Sequence, residues 1–243
     1  MPLAFFDIVG TCFGYDALED AVDTRLGAKL VKYGVSSKLF AQFWLVTLER
    51  DASFMQLTQR PKMPYEERWA EVLPRCLYQA GVTPEDIDTL WSPDDVQYIV
   101  HEYLWKLRPR PGFAEMLEIL EKGGIQFWCC SSASVDRVKA YFKLAGIDFP
   151  VERIWDATPV GASKPQPAVY ERVMKDFGEE GRPLIFGASH AWDCAGAKNA
   201  GFRTAYTTVY EKYECVTMWG QHDIVEPDLI SLGKSIVEKY GTK

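Results

Sequence analysis

Near the start of the chain an apolar run, Leu3-Ala4-Phe5-Phe6, leads into Asp7 and then into Ile8-Val9-Gly10-Thr11. A carboxylate at the end of a buried strand can cap a turn. It can also act as a nucleophile, forming an ester with a carbon that bears a leaving group, which water then hydrolyses. Thr11 stands four residues further on, where its hydroxyl can orient that carboxylate or simply make the turn. Two other polar groups follow apolar runs much later: Ser131-Ser132 after Phe127-Trp128-Cys129-Cys130, and Ser189-His190 shortly after Pro183-Leu184-Ile185-Phe186. Hydroxyls placed this way, with nearby backbone N–H groups, can donate hydrogen bonds to a ligand oxygen. A histidine that titrates near neutrality suits general-base work, although it can equally fill and hydrogen-bond a cleft wall. His101 and His222 stand in no such context and read as structural.

These positions meet only if the runs that precede them are strands of one sheet. Leu3 to Val9 has the length and composition of a buried strand ended by a glycine turn. From Asp16 to about Trp105 the spacing is helical, with apolar positions at Leu39, Phe40, Phe43, Trp44 and Val46, and again at Trp69, Val72, Leu73, Cys76 and Leu77. After the proline-rich Leu107-Arg108-Pro109-Arg110-Pro111-Gly112 the patterns alternate, with helices over 113–122, 135–144, 167–176 and 192–200 and strands over 125–130, 153–155, 183–186 and 202–206. Such alternation predicts an α/β fold, a Rossmann-like parallel sheet wrapped by helices on both faces. One strand precedes the helical block and the rest follow it. The block therefore reads as an all-helical cap, residues 16–105, inserted into a core domain made of residues 1–15 and 106–243. Open parallel sheets bind ligands beyond the carboxyl ends of their strands, which is where Asp7, Ser131, Ser132, Ser189 and His190 fall.

Composition narrows the partners. The chain has 243 residues, 47% hydrophobic and 25% charged, which are ordinary globular fractions. A net charge of −7 gives no long-range attraction for phosphate backbones, so a small molecule is expected and nucleic acid is not. Cys12, Cys76, Cys129, Cys130, Cys194 and Cys215 lack metal-type spacing and are expected to be reduced thiols. The N-terminus has no basic stretch of the secretory kind, and the longest mainly apolar stretch, Leu39 to Leu48, is too short to span a bilayer. The expectation is a cytoplasmic protein with no membrane partner.

In order along the chain, Asp7-Ile8-Val9-Gly10-Thr11, Cys130-Ser131-Ser132-Ala133, Ser163-Lys164-Pro165 and Ser189-His190-Ala191-Trp192-Asp193-Cys194-Ala195-Gly196-Ala197 resemble the four motifs of the haloacid dehalogenase superfamily. The resemblance covers essentially the whole chain, and the last motif is most similar to that of the 2-haloacid dehalogenases. It implies a hydrolase acting on carbon–halide bonds, with Asp7 as nucleophile on a small carboxylate substrate. It implies further that Thr11 orients Asp7, that Lys164 keeps it ionised, that Asp193 partners Lys164 and that His190 activates the hydrolytic water. Ser131 and Ser132 would cradle the substrate carboxylate, with Tyr170 and the cap residues Trp44 and Leu45 also at the substrate. A cleft walled by Phe13, Tyr15, Phe43, Trp44 and Phe54 would favour a substrate greasier than a chlorinated acetate. No metal and no cofactor are implied, and a homodimer is left open.

Departures from the pattern keep other reactions in view. Phosphatases of the superfamily carry acids where this chain has Val9 and Ser189. Losing positioned acid/base catalysis costs roughly 10² to 10⁴-fold, and Asp7 with Asp193 alone is a thin magnesium site, so a phosphatase is disfavoured. Leu45 stands where the dehalogenases have an arginine beside the departing halide, and Arg50 lies on a different helical face. His190 replaces a frequent asparagine and would work with an acid soon after the first motif, Asp16 or Glu19. Ala188 replaces a frequent serine. The missing arginine supports an alternative, an enzyme that uses Asp7 as acid, base or nucleophile on a non-halogenated substrate. A binding domain without catalysis ranks lowest, because Asp7, Thr11, Lys164 and Asp193 are all retained.

Overall fold

In the computed structural model, which describes residues 1–61 and 63–242, the run Leu3-Ala4-Phe5-Phe6 forms strand β1 (Leu3–Phe6) with all four side chains buried. A strand covered on both faces belongs inside a parallel sheet. With β2 (Gln126–Ser131), β3 (Ile154–Asp156), β4 (Leu184–Ala188), β5 (Arg203–Thr207) and β6 (Ile224–Glu226) it makes a six-stranded sheet in the order β3-β2-β1-β4-β5-β6, every pair parallel. Successive side chains of β1 feed opposite faces. Phe5 packs against Phe177 and Phe202 at ring separations of 5.0 and 6.2 Å, whereas Phe6 stacks on Phe127 at 4.8 Å. Each such ring contributes about 1.5–3 kcal/mol by leaving water.

Strand order reverses at β1, because the chain fills the β2 and β3 side first and returns through β4 to the other. Phe6 is level with Cys129 on one neighbour and with Gly187 on the other. The carboxyl ends of these three strands therefore open on one rim, at the switch point where ligands bind in such sheets. Helices Phe113–Lys122, Val135–Leu144, Pro167–Phe177, Ala191–Asn199 and Leu229–Tyr240 belong to the same unit. The fold class is thus the α/β one, a Rossmann-like core with an inserted all-helical cap. Strand β1 stops at Phe6 and does not run to Val9, because Gly10, at a φ of 89°, turns the chain back on itself. Strand β6 and helix Leu229–Tyr240 extend the alternation past the last expected strand, and three residues are too few for β6 to display a period in sequence.

The chain divides into two compact units, Met1–Gly14 with Arg108–Lys243, and Tyr15–Leu107. Where the chain leaves the sheet unit and re-enters it, Phe13–Gly14 pairs antiparallel with Arg108–Pro109, and the Arg110 N–H donates to the Cys12 carbonyl at 2.8 Å. The second unit contains helices Asp16–Val22, Ser37–Leu57, Tyr65–Gln79, Pro84–Leu90 and Pro93–Trp105. Ser36 caps the second of these, and Ser92 with Asp95 forms a capping box ahead of the last, with Pro93 in its first turn.

Within this unit Trp44 meets Trp69 edge-on at 4.9 Å and donates its indole N–H to the Trp69 carbonyl at 3.2 Å. That contact sets the inward face of helix Ser37–Leu57. Leu39 and Val46, which the spacing alone turns inward, are 69% and 53% exposed, while Ala41, Leu45 and Leu48 are buried. A run as evenly apolar as Leu39 to Leu48 offers several possible faces, and the partner helix selects one. None of the described helices is long and apolar enough to cross a membrane. All six cysteines are free, and only Cys215 is exposed.

Candidate active site

Asp7 is the first residue past the central strand, and its N–H still donates to the Gly187 carbonyl at 2.9 Å. Its carboxylate is thereby fixed on the rim. The turn at Gly10 needs a left-handed backbone that glycine adopts without cost, and it brings Thr11 back so that Oγ1 donates to Asp7 Oδ2 at 2.7 Å. From the loop ahead of helix Pro167–Phe177, Lys164 sends its Nζ to Asp7 Oδ1 at 2.7 Å and to Asp193 Oδ2 at 2.6 Å. Asp193 lies in the first turn of helix Ala191–Asn199, and the Tyr170 hydroxyl donates to its Oδ1 at 2.5 Å. All of these side chains are buried.

One ammonium between two carboxylates does not treat them alike. Burial pushes the Asp7 carboxyl up, but the Lys164 charge together with the hydrogen bond and charge of His190 outweighs it, so Asp7 is held below the usual carboxylate range. Burial raises Asp193 as well, the nearby Asp7 charge adds to it, and Lys164 does not cancel the sum. Burial pulls Lys164 down while Asp193 and Asp7 push it up more strongly, so the ammonium keeps its proton. Tyr170 is raised by burial and by Asp193, which leaves its hydroxyl a donor. The arrangement produces an ionised Asp7 in a dry setting, the state a nucleophile requires.

The last motif reaches the same place from β4. The Ser189 N–H donates to Thr11 Oγ1 at 2.9 Å and its hydroxyl to the Gly10 carbonyl at 3.0 Å. His190, at the start of helix Ala191–Asn199, sets its Nδ1 3.4 Å from Asp7 Oδ2. Trp192 and Tyr210 flank the imidazole at ring separations of 5.3 and 5.1 Å. Ser131 is buried, and its Oγ accepts from the Ala133 N–H at 3.1 Å, while Ser132 beside it is exposed. The Cys130 thiol is pushed up to about 12 by burial, which leaves it protonated and inert.

Asp7, Thr11, Lys164, Tyr170, His190 and Asp193 are therefore one connected cluster. Tyr170 enters the cluster from the core side: its ring is wholly buried and its hydroxyl serves Asp193. Trp44 and Leu45 belong to the helical unit and are buried there. Phe13 is no cleft wall, since its ring is packed 5.3 to 5.5 Å from those of Phe113, Tyr141 and Phe142 in the core of the sheet unit. Phe54 is 55% exposed on its helix. Asp16 is exposed, and Glu19 accepts from Gln42 at 2.8 Å and pairs with Lys38 at 2.9 Å inside the helical unit.

Three residues at this site escape sequence reasoning. Arg110, in the proline-rich junction, donates from Nε and Nη2 to the Gly10 carbonyl at 2.9 and 2.8 Å. Tyr210 lies on His190, and the Glu211 carboxylate accepts from the Ala191 N–H at 2.9 Å, filling the capping role that the His190 side chain does not perform. The one sequence signal, a cation directly after a helical block, is too common to single out Arg110. Among the described residues no three His, Cys, Asp or Glu side chains form a metal-holding group.

A family model for haloacid dehalogenase-like hydrolases matches residues 1–201. The chain is 31% identical over 108 residues to (S)-2-haloacid dehalogenase 2 of Pseudomonas sp. (strain CBS-3), a match that covers 44% of this chain and 47% of that protein, so it spans about half of that relative. It is 22% identical over 205 residues to haloacetate dehalogenase H-2 of Moraxella sp. (strain B), covering 84% of each. The crystal structure of the L-2-haloacid dehalogenase RSc1362 superposes with a TM-score of 0.79 at 16% identity, over 97% of this chain and 98% of that one, a likeness of fold.

Proposed function

This chain belongs to the haloacid dehalogenase-like hydrolase family, and from that premise we propose that it hydrolyses the carbon–halogen bond of a small 2-halo carboxylic acid through an ester on Asp7. In the first step an Asp7 carboxylate oxygen bonds to the carbon bearing the halogen, the carbon–halogen bond breaks, and the halide leaves with the electron pair. Lys164 keeps Asp7 ionised for this attack and Thr11 holds its orientation. In the second step a water oxygen adds to Asp7 Cγ as its proton passes to His190. Collapse breaks the bond from Cγ to the ester oxygen, which takes the proton and departs as a 2-hydroxy acid. Asp7 keeps one oxygen from water and returns to the carboxylate as the second water proton leaves to solvent, balancing the released halide. Ser131, Ser132 and nearby backbone N–H groups receive the substrate carboxylate.

The observation that carries this reading is the His190 imidazole 3.4 Å from Asp7 Oδ2, with Lys164 on the opposite oxygen. A base in that place is within reach of water attacking the Asp7 ester. Val9 and Ser189 supply no carboxylate, and Ser189 is committed to Gly10 and Thr11, which weighs against a phosphatase. Six free cysteines support a reducing, cytoplasmic location.

The test is halide release from a panel of 2-chloro and 2-bromo acids, with a single turnover in ¹⁸O-water. Halide above blank, an ¹⁸O atom on the Asp7 peptide, and loss of both in Asp7→Asn are expected. No halide from any member of the panel would overturn the proposal.

A further inference from the structure

We infer that Tyr210 and Arg110 are positioning residues for His190 and that they govern the hydrolytic half of the reaction, an inference that rests on the function proposed above. A closed ring of contacts in the sheet unit carries it. The ring starts on the nucleophile loop, where Arg110 grips the Gly10 carbonyl with two donors at 2.9 and 2.8 Å. The Arg110 guanidinium lies 5.8 Å from the centroid of the Tyr210 ring. That ring meets His190 edge-on, at 5.1 Å and 60°. His190 returns to the nucleophile, 3.4 Å from Asp7 Oδ2.

Each link has a physical reason. A guanidinium over an aromatic face is attracted by the ring quadrupole, and an edge-on pair of rings is a favoured aromatic geometry. His190 has extended backbone at a helix start, φ −110° and ψ 118°, so the helix itself does not set its ring plane. Trp192 also packs against the imidazole, at 5.3 Å and a tilt of 36°. Tyr210 is in turn anchored through its neighbour, because Glu211 holds both the Ala191 N–H at 2.9 Å and the Tyr206 hydroxyl at 2.8 Å.

The two halves of the reaction depend on this ring unequally. Ester formation uses Asp7, Lys164 and Thr11, which hydrogen-bond one another, whereas the Tyr210 ring packs on His190. Ester hydrolysis needs the base within hydrogen-bond reach of the attacking water, and a displacement of about 1 Å at such a centre costs on the order of 10²-fold. Removing the Tyr210 ring therefore spares the first step and slows the second, so the ester accumulates.

Rapid-quench kinetics with intact-mass detection test this on the full chain, using a 2-halo acid that the wild type turns over. In Tyr210→Ala the halide burst should stay equal to the enzyme concentration while kcat falls about 10- to 100-fold and the ester-bearing fraction rises. Tyr210→Phe, which keeps the ring, should restore wild-type behaviour. Loss of the burst, an unchanged kcat, or a Tyr210→Phe variant that behaves like Tyr210→Ala would each overturn the inference. If Tyr210→Ala does not fold, Tyr210→Leu, which removes the aromatic ring but keeps its apolar bulk, is read against the same outcomes. A wild type that releases no halide and gains no mass on Asp7 defeats the proposed function and this inference together. A wild type that turns over beside an unaffected Tyr210→Ala defeats this inference alone.

Discussion

Thr11 and Ser189, 178 residues apart in the chain, are joined where the first and last motifs meet: the Ser189 N–H donates to Thr11 Oγ1 at 2.9 Å, and the two hydroxyl oxygens lie 3.1 Å apart. Thr11 gives its single hydroxyl hydrogen to Asp7 Oδ2 at 2.7 Å, so toward the Ser189 N–H it acts as an acceptor. The orientation of Asp7 thus depends on a strand formed far later in the chain. Thr11→Val keeps the shape but strands a buried N–H and removes a donor from Asp7. It should cost about 1–3 kcal/mol in urea unfolding and lower kcat, and Thr11→Ser should recover most of both losses.

Lys164→Met is expected to be the most damaging single change at the site. It leaves the buried carboxylates of Asp7 and Asp193 without a counter-charge, a situation worth about 3–5 kcal/mol. Asp193→Asn removes the carboxyl whose proton affinity is already raised and leaves Asp7 and Lys164 as a balanced pair, so its cost should be smaller. Denaturant midpoints at pH 7 rank the two variants. The Lys164→Met deficit should shrink at pH 5 as a carboxyl takes up a proton, and a larger loss for Asp193→Asn would refute the charge account.

Acid dependence separates the two carboxylates. The folded-state affinity of Asp7 lies below its ordinary 3.8, so its contribution to stability is present above that pH and is lost as the pH falls below it. Asp193, raised by burial, has the opposite sign, and its penalty at neutral pH is relieved on acidification. Midpoints measured from pH 7 to pH 3 should therefore fall less steeply at the acid end in Asp7→Asn than in the wild type, and more steeply in Asp193→Asn.

Gly196 owes its place to Tyr170. A Cβ at this position would lie 2.7 Å from Tyr170 Cε2 and 3.0 Å from its hydroxyl oxygen. Gly196→Ala should push the ring off Asp193, at about 1–3 kcal/mol of overpacking, and reduce kcat through Lys164. Tyr170→Phe tests the same link without the clash. It should lower kcat with a smaller loss in thermal midpoint than Gly196→Ala.

The features legible in sequence were those written locally. Leu3-Ala4-Phe5-Phe6 followed by Asp7 and a glycine turn marks a buried strand with a carboxylate at its end, and helix Phe113–Lys122 has the bounds its periodicity suggests. What was hidden depends on distance in the chain. Ser189 drew attention for the carboxylate it lacks, while its bonds to Gly10 and Thr11 arise only once β1 and β4 are neighbours. Arg110 meets Gly10 across 100 positions, and no local pattern foretells that contact. The spacing of Trp44 suits a cleft wall as well as a core position, because an aromatic at helical spacing carries no sign of which partner it packs against. Trp69 supplies that information.

The antiparallel pair Phe13–Gly14 and Arg108–Pro109 has a consequence for how such a molecule can change. The two ends of the helical insert are already hydrogen-bonded to each other on the sheet side, so closing the sheet unit does not rely on the helices to bring them together. Loop-closure entropy grows only slowly with the length of what lies between. The insert is in effect a hairpin turn enlarged to the size of a domain. A chassis of this kind is expected to tolerate grafting, since Asp7 and its partners Lys164 and Asp193 all lie in the sheet unit that the pairing closes.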